Sequence, residues 1–239
     1  MDNIKTIALF GGTGFVGYWM RKTKPKNVRL SFFGKDEYEL RDWQAMVFDY
    51  IVFLPNIQPS EILEYATRQV FANRTPPRIL YASSGIVYHP ENDTEYRQNK
   101  IKWEAECLES SLDVVIARLF TFYGRKLDKF KAITSITESA VNNETIRITG
   151  NGQAVRSYMH GRDMARTMWA ILFHGERGEA YDVGDDTPVT IIDLATQIVR
   201  REGSKSEIII EHGKDPMPYY IPENIEKTKL LLDKIKNRV

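Results

Sequence analysis

Cysteine is almost missing from this chain. Cys107 is the one cysteine in 239 residues, so no disulfide can form within the chain and no zinc-type cysteine spacing exists. The histidines are few as well: His89, His160, His174 and His212 are scattered, with no pair at i, i+4 to hold a metal. No apolar run approaches the roughly 20 residues of a membrane span. Charge of one sign is also lacking. A formal net charge of +1 gives no electrostatic case for nucleic acid or an anionic membrane as partner. The opening "MDNIKTIALFGG" has a short apolar stretch that ends in glycines, which reads as a buried strand rather than a signal peptide. The expectation is a reduced, cytoplasmic protein without a metal.

At 42% hydrophobic and 27% charged, the chain can bury a sizeable core in one domain or a domain with a small attached lobe. The runs "TIALF" (6–10), "NVRLSFF" (27–33), "YIVFL" (50–54), "RILYAS" (78–83) and "DVVIARLF" (113–120) are short and nearly continuously apolar. Such runs suit central strands of a parallel sheet covered on both faces. Helical patterns at 15–23, 60–73 and 96–110 lie between them, and the alternation predicts an α/β class. Further on, 163–178 has helical spacing with Asp163 as its expected N-cap. Residues 190–203 begin with Thr190 and Asp193 as a capping box and stop at Gly203. "EIIIE" (207–211) reads as a strand, and Pro222 precedes a terminal helix with basic residues towards its end.

Directly after the first strand, "GGTGFVG" sets Gly11, Gly14 and Gly17 at three-residue intervals. A tight turn into a helix uses glycine where the backbone is left-handed or must touch a ligand, and the helix start offers free N–H groups to a pyrophosphate. That context, strand then glycines then helix, points to a dinucleotide. The second strand ends in "FFGK", without the Asp or Glu that would meet the ribose hydroxyls of NAD. Arg29 or Lys35 could face a 2′-phosphate instead, so NAD and NADP both stay open.

Two Tyr-x-x-x-Lys pairs occur, Tyr18/Lys22 and Tyr96/Lys100. At i, i+4 on a helix the ammonium can sit near the phenol. Tyrosine ionises near pH ~10 unperturbed, and a neighbouring cation favours the phenolate, which could then act as a base. Spacing alone does not separate the two pairs.

Ordered landmarks do. "GGTGFVG" (11–17), "ELRD" (39–42), "YASSGIVY" (81–88), "YRQNKIKWE" (96–104), "RLFTFYG" (118–124), "GNGQAVRSYMHGRDMA" (150–165), "YDVGDDTPVTIIDLA" (181–195) and "YYIPENIEKTKLLL" (219–232) follow one another as in the extended short-chain dehydrogenase/reductases, which the chain resembles. These are the NAD-dependent epimerases, dehydratases and reductases of nucleotide sugars. The resemblance implies a Rossmann-like doubly wound parallel sheet with a small mixed C-terminal substrate lobe. It assigns 1–124 and 153–185 to the core and 125–152 and 186–239 to the lobe. It implies Ser84, Tyr96 and Lys100 as catalytic, since the serine of "SSxxVY" precedes the tyrosine–lysine helix in that family. It also implies cofactor contacts from Gly11, Thr13, Gly14, Phe15, Val16, Gly17, Lys35, Glu39, Leu40, Leu54, Tyr96 and Lys100. Substrate contacts would come from Ser84, Thr121 and Arg156, the last on a diphosphate. Glu39 stands where the adenine amino group could be met. Family members often form homodimers through a helix pair, here including 96–110 with Trp103.

The departures carry information too. The stretch from Ser84 to Tyr96 is shorter than the family's usual gap. Thr121 replaces an asparagine that commonly touches substrate, Arg125 replaces a proline, and a second phosphate arginine near the C-terminus has only Lys214 in its place. The family's 4,6-dehydratases carry an acidic residue beside the catalytic Thr or Ser, where this chain has Gly85 and Ile86, so dehydration is not expected. The expected activity is an epimerase or ketoreductase on a nucleotide-activated sugar, with Tyr96 as general acid/base. Alternatives are a reductase of a non-sugar carbonyl and a non-catalytic dinucleotide-binding regulator.

Overall fold

A computed structural model describes residues 4–34, 42–56, 58–125, 131–211, 213 and 217–237. Strands β1 (Lys5–Phe10), β2 (Val28–Phe33), β3 (Tyr50–Phe53), β4 (Arg78–Ser84), β5 (Val114–Leu119) and β10 (Ala180–Val183) form one sheet in the order β10-β5-β4-β3-β1-β2. Every pairing in it is parallel. Both faces of the sheet are buried, as its continuous apolar runs require. Ile7 and Leu9 of β1 face one core, with Met20 of α1 (Phe15–Lys22) and Met164, Met168 and Ile171 of α5 (Gly161–His174). Ala8 and Phe10 point the other way. They join Ile62 and Tyr65 of α2 (Ser60–Phe71) and Trp103 and Cys107 of α3 (Glu95–Glu109).

A third, smaller core lies apart from the sheet. Ile136 and Ala140 of α4 (Ala132–Val141) pack with Leu194 and Ile198 of α6 (Ile191–Glu202) over β7 (Ile146–Thr149), which pairs with β12 (Ile208–Glu211). Beside it, β8 (Val155–Arg156) lies between β11 (Val189–Thr190) and β13 (Tyr219–Tyr220). Two short strands, β6 (Phe122–Tyr123) and β9 (Met159–His160), pair in parallel, and α7 (Ile225–Lys236) closes the chain.

Several local expectations need correction. The helix expected at 163–178 starts at Gly161 and ends at His174. His160, not Asp163, caps it: its Nδ1 accepts from the Arg162 N–H at 3.1 Å. Gly161 begins the helix because any Cβ there would overlap the Trp19 ring. The inner face of α3 carries Lys100, Trp103, Glu104 and Cys107 at i, i+3, i+4 and i+7, and all four are buried. The Thr190 box also differs in detail: its hydroxyl accepts from the Asp193 N–H at 3.1 Å and donates to the Asp193 carboxylate at 2.6 Å. The short aspartate meets the hydroxyl instead of reaching back to the backbone.

The two charges on the buried face of α3 are held in different ways. Glu104 takes a forked contact from Arg118 on β5, with Nη2–Oε2 at 2.6 Å and Nε–Oε1 at 3.1 Å. Arg118 also donates to the Tyr88 hydroxyl at 2.6 Å, which donates on to Asp182 at 3.0 Å. Asp182 in turn accepts from the backbone N–H groups of Glu223 and Asn224 at the start of α7, at 3.0 and 2.8 Å. Removing one partner of a buried pair strands the other charge, at a cost of about 3–5 kcal/mol. Glu104→Ala should lose stability in that range in urea unfolding at neutral pH, whereas Glu64→Ala, from an exposed i, i+4 pair with Arg68, should lose less than about 1 kcal/mol.

Candidate active site

The three glycines after β1 have separate physical reasons. Gly11 has φ +79°, a left-handed value that side chains avoid. Gly17 is the contact point of helix and turn: a Cβ there would lie 2.5 Å from both the Gly11 carbonyl oxygen and the Gly12 Cα. Gly14 is the N-cap of α1. It has no side chain to bond the first N–H groups, and no acidic residue follows in the first turn. The helix start is therefore left open to an anion. It faces the C-terminal ends of β1 and β3, where the Leu54 N–H donates to Phe10 at 3.2 Å and the strand order reverses. Open α/β sheets bind ligands at that point. The turn has the close backbone approach and free donors that a dinucleotide pyrophosphate requires, so the residues fit the group.

A cavity of about 880 Å³ opens beside it. From the cofactor set, Phe15, Val16, Leu54, Tyr96 and Lys100 line it; from the substrate set, Ser84, Thr121 and Arg156 do. Gly11, Thr13, Gly14 and Gly17 make the adjoining turn. Lys35, Glu39, Leu40 and Lys214 lie outside the described residues. Arg29 does not reach the region: it stands opposite Thr6 near the start of β2, four residues or roughly 13 Å of strand from Phe33. Among the described residues, Arg21 brings a cation near the turn, its guanidinium carbon 4.4 Å from the Phe32 ring centre. Phe32 in turn fills the space against Gly12.

Thr94 caps α3 and so sets Tyr96 in its first turn, accepting from the Arg97 N–H at 3.3 Å. Tyr96 is 41% exposed and Lys100 only 3%. The Lys100 Nζ stands 5.8 Å from the Tyr96 ring centre, donates to the Ala82 carbonyl at 3.0 Å and reaches the Tyr81 hydroxyl at 3.4 Å. Two of its three protons are thereby engaged with the sheet and one is left for the cavity. Burial pushes this ammonium down to about 8, against the opposing pull of the Glu104 charge. Burial drives the Tyr81 phenol well above its ordinary range, so it stays a neutral acceptor.

Ser84 ends β4 and is 7% exposed. Its Oγ accepts from the Ile86 N–H at 3.3 Å and lies 3.2 Å from the Tyr220 hydroxyl. Sequence reasoning missed Tyr220, a cavity residue from β13; only its place in the "YYIPEN" landmark could have drawn notice. It also missed Lys131 and Arg147, two further cations on the wall with Arg156. Lys131 is the N-cap of α4, a second helix start with neither side-chain cap nor acidic first turn. No Asp or Glu lines the cavity among the described residues. Gly85 leaves no room for one beside Ser84, since a Cβ there would overlap the Phe120 ring.

Comparison with known proteins fits this geometry. A profile of the NAD dependent epimerase/dehydratase family matches residues 57–184. The dTDP-D-glucose 4,6-dehydratase of Homo sapiens is 23% identical over 206 residues, covering 78% of this chain. The match covers 57% of that enzyme, so the chain spans little more than half the length of this relative. Among solved structures, dTDP-glucose 4,6-dehydratase from Bacillus anthracis in complex with NAD has a TM-score of 0.79 at 18% identity, over 96% of this chain and 90% of that one. RMD from Pseudomonas aeruginosa complexed with NADPH has a TM-score of 0.72 at 17% identity, over 98% of this chain and all of that one, 100%. These likenesses establish the fold.

The buried Lys100 makes a testable contribution to stability. Its folded value lies below the ordinary 10.5 of lysine, so between about pH 8 and 10.5 the unfolded chain binds the proton and the folded chain does not. Stability from this group therefore rises with pH across that window and is lost as pH falls through about 8. Wild type should gain about 3 kcal/mol relative to Lys100→Met over the window, at about 1.4 kcal/mol per pH unit. Urea unfolding of both proteins at several pH values checks it.

Proposed function

Because the chain belongs to the NAD dependent epimerase/dehydratase family, we propose that it is an NAD(P)-dependent epimerase or ketoreductase of a nucleotide-activated sugar. The observation that carries this reading is one cavity beside the glycine turn that Ser84, Tyr96, Lys100 and Arg156 all line. A bound nicotinamide supplies the hydride acceptor or donor. Tyr96 takes the proton of the sugar hydroxyl as its carbon loses hydride, and returns it in the reverse direction. Ser84 hydrogen-bonds the same oxygen. Lys100 keeps a positive charge near the phenol and has one N–H left for the nicotinamide ribose.

Arg156, Lys131 and Arg147 with the open start of α4 would hold the sugar's diphosphate. The set compensates for the second arginine that the sequence lacks. A non-sugar carbonyl would need none of these cations. Dehydration is disfavoured despite the dehydratases among the relatives. Eliminating water needs a proton donor beside the serine, and the Phe120 ring occupies the space that its side chain would take. The Arg21 guanidinium over Phe32 favours NADP, as a cation can meet a 2′-phosphate there. Ile101 and Leu108, 40% and 44% exposed on the outer face of α3, suit a homodimer contact.

Tyr96→Phe should keep the wild-type unfolding midpoint and dinucleotide affinity while turnover falls about a hundredfold or more; full activity in that variant would remove the role given to Tyr96. Arg156→Ala should raise KM for a nucleoside-diphosphate hexose about tenfold or more with kcat little changed, the pattern of lost binding rather than lost chemistry. Mass spectrometry of small molecules that co-purify with the protein would identify both dinucleotide and sugar. Cofactor retained through purification favours the epimerase, and steady consumption of added NAD(P)H the ketoreductase.

A further inference from the structure

Ser84 receives a partner from far along the chain. Tyr220 reaches it from β13, and its hydroxyl has two neighbours: Ser84 Oγ at 3.2 Å and the Leu119 carbonyl oxygen at 3.3 Å. The ring is fixed from both sides, with centroids 5.1 Å from Phe120 and 5.3 Å from His89. In the small sheet, Tyr220 stands in register with Arg156 of β8, so the residue that touches the serine and the guanidinium on the cavity wall belong to one strand pair.

A hydroxyl has one proton and two lone pairs, and counting them distinguishes two states of this contact. If Tyr220 gives its proton to Leu119, its oxygen can only accept from Ser84. The serine's sole proton is then turned away from the cavity. If Tyr220 donates to Ser84 instead, both lone pairs of Oγ are filled, one by Tyr220 and one by the Ile86 N–H. The serine proton then has nowhere to point but the cavity.

We propose that Tyr220 is a positioning residue, donating to Ser84 during turnover so that the serine presents its proton to the reacting oxygen. The inference rests on the role given to Ser84 under the proposed function. Burial pushes the Tyr220 phenol up to about 12, so it keeps the proton that it donates.

The test is a double-mutant cycle on the full chain: wild type, Ser84→Ala, Tyr220→Phe and the double variant. Net hydride transfer is followed by nicotinamide absorbance, and epimerisation, which returns the hydride, by chromatography of the product sugar nucleotides, with UDP-glucose and dTDP-glucose as probes. Tyr220→Phe keeps the ring between Phe120 and His89, so its dinucleotide affinity and unfolding midpoint should match wild type. Its kcat should fall about tenfold or more with KM within about twofold, and Ser84→Ala should fall at least as far. The double variant should be no slower than Ser84→Ala alone, because Tyr220 acts only through the serine. Wild-type kcat in Tyr220→Phe overturns the inference, as do multiplicative losses in the double variant. A fully active Ser84→Ala removes the serine's role itself, and a wild-type chain that transfers no hydride with either probe overturns the proposed function and this inference with it.

Discussion

The carboxylate of Glu104, buried against the Arg118 guanidinium, is the interaction on which the site's geometry depends. One partner lies on the helix that carries Tyr96 and Lys100, the other on the strand next to the one that ends in Ser84. The pair continues through Tyr88 to Asp182 and so to the start of α7. Buried ion pairs are weak contributors to stability compared with apolar packing of the same volume, but their forked geometry tolerates little displacement. Here it ties α3, with Tyr96 in its first turn, to the strand beside the one that ends in Ser84.

On this frame the cavity has an asymmetric chemistry. Protonic groups, Ser84, Tyr96 and Tyr220, line it together with cations. The guanidinium of Arg156 and the cations Lys131 and Arg147 come from the smaller core and its strands. A neutral reacting oxygen and an anionic tail on one molecule match that division. Gly85 sharpens it: by letting Phe120 pack flush against the strand end, it replaces a proton-transfer group with an apolar wall.

Much of the large sheet was legible because its physics is local. Continuous apolar runs bounded by turn residues gave β1 to β5 within a residue or so, and the glycine pattern marked the turn after β1. The small strands β6, β8, β9, β11 and β13 were not legible. Each has only two residues, too few for any periodicity, and exists because a partner strand satisfies its backbone. Tyr220 shares that obscurity. Nothing near position 220 says that its hydroxyl meets a serine 136 positions earlier. Trp103, named with the helix of a family homodimer contact, is buried within its own chain, since the helix buries the stripe that also holds Lys100 and Glu104.

The two Tyr-x-x-x-Lys pairs mark the boundary between sequence and tertiary structure. By itself the sequence determined that each pair would share a helical face, and the structure has them nearly alike. Lys22 Nζ lies 5.9 Å from the Tyr18 ring centre and Lys100 Nζ 5.8 Å from that of Tyr96. What differs was decided by the fold. Lys22 is exposed on α1, whereas Lys100 is pressed against β4, desolvated, and bonded to Ala82 and Tyr81. Helical spacing acts over one turn of backbone, but loss of water and the arrival of Ser84 and Arg156 come from strands brought together across the chain.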